Sequence, residues 1–260
     1  KRVLIVGGGY LGLELAAAAV EAGCSVSLIE AAPRILQRVA AEPTSDCFRA
    51  MHRSHGVDII EGAGLVSLHG NHTVRSARLS NGRDIQTDCV FIGIGISPNT
   101  SLAERAGLKV ENGICVDEFC RTSDPNIWAA GDCAAFPCGE KFYRLESVGN
   151  ATAMGECVAG NLLGLNRPYT AKPWFWSDQY DQRLQIAGVS AGHDRVVVRA
   201  GKKHASVSHW YYNGARLIAA DVINDPKTYV IAKRLIENGL SPAPGLIADP
   251  DYNIKLALKG

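Results

Sequence analysis

The sequence lacks any run of about 18 uninterrupted apolar residues, so it offers no membrane-spanning helix. It also lacks an excess of one charge. Lys plus Arg is 27 and Asp plus Glu is 26, and a net charge of +1 asks for neither nucleic acid nor an anionic membrane as partner. The eight cysteines contain no CxxC, and no tight Cys or His pair is completed by a second one, so no zinc site is expected. The cysteines read mostly as small buried residues of a reducing, cytoplasmic compartment. The spacings His52/His55 and His69/His72 therefore imply surface or turn histidines. No internal repeat or low-complexity tract occurs. The first residue is Lys1, not Met, and the chain enters the apolar run Val3–Val6 at once. Such a start, inside the first core strand, is rare for a complete protein. It is not a signal peptide, because Glu14 and a glycine triplet interrupt the apolar stretch.

What is present is a globular composition. Hydrophobic residues make up 47% and charged residues 20% of 260 residues, enough for about two domains at roughly 100–200 residues each. Glycine is enriched, 27 residues or about 10% against a typical ~7%, and many glycines end apolar runs.

The first 30 residues carry the strongest signal. Val3–Val6 is strand-like, Gly7, Gly9 and Gly12 fit GxGxxG, an Ala-rich helix follows over 10–22, and VSLIE at 26–30 ends on Glu30. The arrangement is a βαβ unit that binds a dinucleotide. Gly7 permits the tight turn, Gly9 admits the pyrophosphate, and Gly12 lets helix and strand pack closely. Tyr10 and Leu11 open the helix whose N-terminal N–H groups face the phosphates. Glu30 can accept both hydroxyls of the adenine ribose and repels a 2′-phosphate, which favours NAD, although Arg34 and Arg38 follow closely and can serve such a phosphate. Glu14 is either a first-turn acid favoured by the helix dipole or a carboxylate near the nicotinamide.

Further on, Thr44 or Ser45 is expected to cap a helix running through His52. Residues 64–92 read as an antiparallel hairpin excursion whose last strand is Asp88–Ile92. Two short apolar runs occupy 113–132, with Asp132 ending the second, and a helix spans about 149–164. From Trp174 onward, alternating runs at 183–189, 194–199, 205–212 and 215–223 and a helix at 226–238 form a separate α+β module. GVSAG at 188–192, followed by His193 and Asp194, fits a hydrolase pattern. Its flanks read as strands, where a nucleophile elbow needs a helix after it.

GGGYLGLE, the acid at 30, GIGISPN at 93–99 and TSDPNIWAAGD at 122–132 together resemble the flavoprotein reductases with two dinucleotide-binding domains. WFWSDQ at 174–179 narrows the resemblance to the ferredoxin reductases that serve oxygenases, over essentially the whole chain. The fold this implies is α/β: a Rossmann-like dinucleotide-binding domain with a three-layer, mostly parallel sheet plus an antiparallel hairpin, and a C-terminal α+β domain. Residues 1–112 correspond to the NAD(H) domain, 113–165 to the returning part of the FAD domain, and 168–260 to the C-terminal domain covering the flavin ring. The resemblance implies FAD and NAD as cofactors and a 2Fe–2S ferredoxin as partner. It puts Asp132 on the ribityl chain of FAD, Val148 near the isoalloxazine, Glu14 near the nicotinamide, Trp176 in the flavin pocket and Gly95 against bound NAD. No catalytic side chain or metal ligand is implied. The family starts with another glycine-rich βαβ unit for the ADP half of FAD, so the sequence reads as a fragment lacking that N-terminal segment. It is expected to bind NADH and hold FAD poorly. The alternatives are a dinucleotide-binding module without electron transfer, and an NADH oxidase or rubredoxin reductase of the same superfamily. Residues 181–260 hold 11 Lys plus Arg against 7 Asp plus Glu, a mild basic excess that suits an acidic ferredoxin but is ordinary for a solvated surface.

Overall fold

The apolar run after Lys1 becomes strand β1 (Arg2–Val6), whose last four residues are buried. A computed structural model of the chain describes residues 1–138 and 141–259. Gly139, Glu140 and Gly260, which fall within the expected 113–165 and 168–260 segments, lie outside the described residues. The chain divides into two compact units, Lys1–Gly95 with Trp176–Gly260, and Ile96–Phe175.

In the first unit, β1 leads through α1 (Tyr10–Glu21) to β2 (Ser25–Glu30), then through α2 (Glu42–Ser54) to β3 (Asp58–Glu61). Alanine favours α1, and Gly23, at φ +75°, ends it in the left-handed conformation that a side chain disfavours. β1 and β2 pair in parallel, Val6 opposite Ile29. Their inward residues Leu4, Val6 and Ile29 share one core with Ala77, Leu79 and Ile85. Those last residues come from a three-stranded antiparallel sheet, β4 (Leu65–His69), β5 (Ser76–Leu79) and β6 (Asp84–Gln86).

Two expectations are corrected here. The run expected to finish the hairpin becomes β7 (Cys89–Ile92), which leaves the antiparallel sheet and pairs in parallel with β1, giving the order β3-β2-β1-β7. Its partner is far upstream, so local turn signals assign it to the wrong sheet. The cap of α2 is Ala41, with no side-chain hydrogen bond, and Pro43 sits in the first turn, where its missing N–H costs nothing. Thr44 and Ser45 lie inside the helix and are fully buried.

The second unit contains α3 (Ser101–Arg105), β8 (Ile114–Cys115), β9 (Ala134–Cys138), β10 (Lys141–Tyr143) and α4 (Val148–Leu162). Its small sheet has the order β10-β9-β8. Ser147 caps α4 by accepting the N–H of Asn150 at 3.2 Å. Met154 of α4 packs with Val116, Cys120 and Phe136.

The chain returns as β11 (Trp174–Gln179), β12 (Gln182–Gly188), β13 (Arg195–Ala200), β14 (Val207–Asn213) and β15 (Arg216–Ile223). They form one sheet of order β11-β12-β15-β14-β13. Helix α5 (Pro226–Glu237), capped by Asp225, lays Ile231, Ala232 and Leu235 on Trp210, Tyr212 and Val222, and α6 (Pro244–Ala248) adds Ile247. GVSAG runs from Gly188, the last residue of β12, into the loop before β13, with strands on both sides as expected, but the two strands do not pair, so the loop is not a hairpin turn. There the His193 ring contacts the Ser190 carbonyl rather than its hydroxyl, so no triad forms. Among the described residues no helix is long and apolar enough to cross a membrane.

Candidate functional site

Three backbone segments converge at the start of α1. Gly7 sits at φ +109°, and a Cβ there would lie 2.3 Å from the carbonyl oxygen of Gly93. A Cβ on Gly12 would lie 1.9 Å from the carbonyl oxygen of Gly7. These two glycines are therefore required by close packing of turn, helix and β7 exit. Gly9 differs, because a Cβ there meets nothing within 4 Å. It is the N-cap of α1, which has no side-chain cap and no acid in its first turn. The helix thus keeps its N-terminal N–H groups and positive dipole for an outside anion. That open cradle fits a dinucleotide pyrophosphate.

Glu30 stands at the end of β2 beside this turn. Its two carboxylate oxygens accept the backbone N–H groups of Gly8 and Ala32, each at 2.7 Å. The carboxylate therefore shapes the glycine loop, and its remaining lone pairs can take ribose hydroxyls. The two arginines separate. Arg34 is used internally, donating to Ser45 Oγ at 2.5 Å and to the Ala40 carbonyl at 2.8 Å. It is thus not the phosphate-facing residue the sequence allowed. Arg38 is exposed, and its guanidinium lies 3.7 Å from where a Cβ of Gly95 would be. Gly95 itself is at φ +114°.

Leu11 is exposed and borders Gly93, whereas Tyr10 turns its phenol oxygen inward. Glu14 is half-buried and accepts a hydrogen bond from Ser177 Oγ at 2.5 Å. Trp176, one residue before Ser177 on β11, is half-buried and points to the opposite face of that strand. Thus Gly7, Gly9, Tyr10, Leu11, Gly12, Glu14, Glu30, Gly95 and Trp176 all belong to the first unit.

Asp132 and Val148 belong to the second unit. Asp132 does not end a strand. It lies in a 3-10 turn, Gly131–Cys133, just before β9, because Gly131 at φ +79° breaks the extended run. Its carboxylate is exposed and has no side-chain hydrogen bond among the described residues, which fits a polyhydroxyl chain such as ribityl. A Cβ on Gly131 would contact Ala151 of α4 at 3.4 Å, so this turn abuts the start of α4, where Val148 is exposed. A Cβ on Gly149 would lie 2.3 Å from the Trp174 indole nitrogen, so Trp174 packs on that same helix start.

Two groups of side chains depart from the sequence expectations. His52, expected at the surface, is fully buried on α2, with Nε2 2.8 Å from Gln179 Oε1; burial lowers its pKa. Only Cys115 and Cys120 of the eight cysteines are buried, whereas Cys138 is exposed. The structure also contains a buried polar cluster that no local sequence signal marks. Thr44 Oγ donates to Asp221 Oδ2 at 2.8 Å, Tyr211 donates to the same oxygen, and Tyr211 accepts the Ala41 N–H at 3.1 Å. Since the single Thr44 proton goes to Asp221, His209 donates through Nδ1–H to Thr44 Oγ at 2.6 Å. Burial raises Asp221 to about 6 and lowers His209 to about 4.

Residues 1–155 match the pyridine nucleotide-disulphide oxidoreductase family, and residues 174–258 match a reductase C-terminal family. The chain is 39% identical over 260 residues to putidaredoxin reductase of Pseudomonas putida, covering 98% of this chain and 62% of that protein. Among solved structures, a ferredoxin reductase from Rhodopseudomonas palustris superposes with a TM-score of 0.96 at 37% identity, covering 99% of this chain and 65% of that one. The putidaredoxin reductase of a covalent complex with putidaredoxin superposes with a TM-score of 0.94 at 38% identity, covering 100% and 63%. The chain spans about three-fifths of the length of the curated relatives it matches.

Proposed function

Because this chain belongs to the pyridine nucleotide-disulphide oxidoreductase family, we propose that it forms the NADH-binding and C-terminal portions of a flavoprotein that passes electrons from NADH through FAD to a 2Fe–2S ferredoxin. The observation that carries this reading is the uncapped N-terminus of α1, opened by Gly7, Gly9 and Gly12 beside Glu30. Bound FAD would supply the redox chemistry, a two-electron acceptor for hydride that can give up its electrons one at a time. The chain's own residues bind and orient. The first N–H groups of α1 hold the pyrophosphate, Glu30 takes the adenine ribose, Gly95 admits the dinucleotide backbone, and Glu14 faces the nicotinamide. Asp132 would take the ribityl hydroxyls, and Val148, at the positive N-terminus of α4, would lie beside the flavin ring. Trp176 lines the flavin pocket. No side-chain acid or nucleophile is needed, because the transferred hydride and electrons never bond to the protein.

Residues 1–112 then serve NAD(H), 113–165 serve FAD and 168–260 form the reductase module. The ferredoxin partner is supported by the relative solved in complex with putidaredoxin. The eight cysteines are free thiols, and a reducing cytoplasm is the compartment that keeps them so.

The cofactor choice is tested at Glu30. Glu30→Ala removes the ribose acceptor and the repulsion of a 2′-phosphate, while Arg38 stays near Gly95 to attract it. The NADH-over-NADPH affinity ratio is expected to fall roughly tenfold or more in fluorescence titrations. An unchanged ratio removes Glu30 from the site.

A further inference from the structure

One continuous run of hydrogen bonds enters the first unit from its surface and ends on Glu14. The exposed His55 ring stacks on Tyr180, with centroids 3.8 Å apart and planes 8° from parallel. The Tyr180 hydroxyl lies 3.4 Å from His52 Nδ1. His52 Nε2 lies 2.8 Å from Gln179 Oε1, Gln179 Nε2 donates to Ser177 Oγ at 2.9 Å, and Ser177 Oγ donates to Glu14 Oε1 at 2.5 Å. His52, Gln179 and Ser177 are each no more than 1% exposed, so water does not compete along the run.

The direction of every bond is fixed from its end. The Glu14 carboxylate can only accept, so the single Ser177 proton points to it. Ser177 must then accept from the Gln179 amide nitrogen, which turns Gln179 Oε1 toward His52. His52 must therefore carry its proton on Nε2, leaving Nδ1 to accept from Tyr180. All four dipoles point toward Glu14, and aligned bonds of this kind strengthen one another in a dry interior. Ser177 and Gln179 reach this line because they are two apart on β11 and share a face. Glu14 Oε2 has no donor among the described residues and stays available to a ligand.

We propose that Ser177, Gln179 and His52 are positioning residues that act through Glu14, holding its carboxylate as a directed acceptor beside the nicotinamide. This rests on the reading of Glu14 in the proposed function. A fixed carboxylate there favours the cationic ring of NAD+ over the neutral ring of NADH, so the run biases the site toward the oxidised cofactor and helps hydride leave.

The test uses the whole 260-residue chain. Nitrogen NMR of its histidine rings reads the His52 tautomer without any variant. Nε2–H is expected, and Nδ1–H overturns the direction of the run. Titration with NAD+ and with NADH reads the effect on Glu14. Ser177→Ala is expected to lower the NAD+-over-NADH affinity ratio roughly threefold or more, and Ser177→Thr, which keeps the hydroxyl, to restore it. Glu14→Gln is expected to lower the ratio further. If Glu14→Gln shifts the ratio and Ser177→Ala does not, the positioning role is overturned while the reading of Glu14 stands. If neither shifts it, Glu14 does not face the nicotinamide, and both fall.

Discussion

Gly12→Ala is expected to abolish NADH binding and destabilise the chain, while Gly9→Ala weakens binding and leaves the fold intact. The two glycines are three apart in one motif but do different work. A Cβ added at Gly12 would fall 1.9 Å from the Gly7 carbonyl oxygen, a backbone atom of a turn already held against Gly93. Neither Gly7, at φ +109°, nor Gly93 can yield without moving β1 or β7. Overpacking against backbone costs roughly 3 kcal/mol or more. At Gly9 the added methyl meets open space, and φ is −79°, which any residue adopts. Its only effect is on what occupies that space. NADH affinity of Gly9→Ala should fall at least about tenfold at an unchanged melting temperature, since a pyrophosphate there needs the backbone bare. Calorimetric melts alongside fluorescence titrations check both. A Gly9→Ala protein that binds NADH normally puts the phosphates elsewhere.

The second large effect is on stability against pH, at Asp221. Its carboxyl is fully buried, and one oxygen, Oδ1, has no partner among the described residues. Burial pushes it up to about 6 from 3.8. Between those values the folded state holds more protons than the unfolded state, so this group's contribution falls as pH rises from about 4 to 6. At neutral pH the ionised form costs about 3 kcal/mol, because each tenfold change in proton affinity is worth about 1.4 kcal/mol. His209 runs the other way. It is pushed down to about 4 from 6.5, so its contribution is lost as pH falls through that range. The two slopes oppose each other in one window and flatten the profile of the native protein. Asp221→Asn removes one of them. Its carbonyl oxygen still accepts from Thr44 and Tyr211, and any cost of its amide is independent of pH. Denaturant unfolding from pH 4 to 7 should show the variant gaining about 3 kcal/mol relative to the native chain over that range. A constant difference at all pH values means that Asp221 does not titrate in the fold.

What can be read from the sequence is what local spacing decides. The βαβ unit, its three glycines and Glu30 lie within thirty residues, so turn chemistry and periodicity specify them together. The alternating strands after Trp174 are legible for the same reason, down to the strands on both sides of GVSAG that dismiss it, although those two strands pair with others and form no hairpin. The departures share one cause. Thr44 reads as a helix cap and His52 as a surface histidine, and only strands far along the chain bury them. Thr44 meets Asp221 of β15, and His52 meets Gln179 of β11. Arg34 reads as a phosphate ligand until Ser45 and the Ala40 carbonyl claim its guanidinium. β7 reads as part of the hairpin because its true neighbour, β1, is the first strand of the chain.

The central claim is that this chain belongs to a path from NADH through a flavin to a one-electron acceptor. The most direct measurement mixes the flavin-loaded flavoprotein of which this chain forms the NADH-binding and C-terminal portions anaerobically with NADH, then with an oxidised 2Fe–2S ferredoxin, and follows both chromophores in a stopped-flow spectrometer. The account predicts that NADH bleaches the flavin band and that the ferredoxin is then reduced, two molecules for each NADH consumed. NADH that binds without bleaching the flavin, or a bleached flavin that leaves the ferredoxin oxidised, would contradict it.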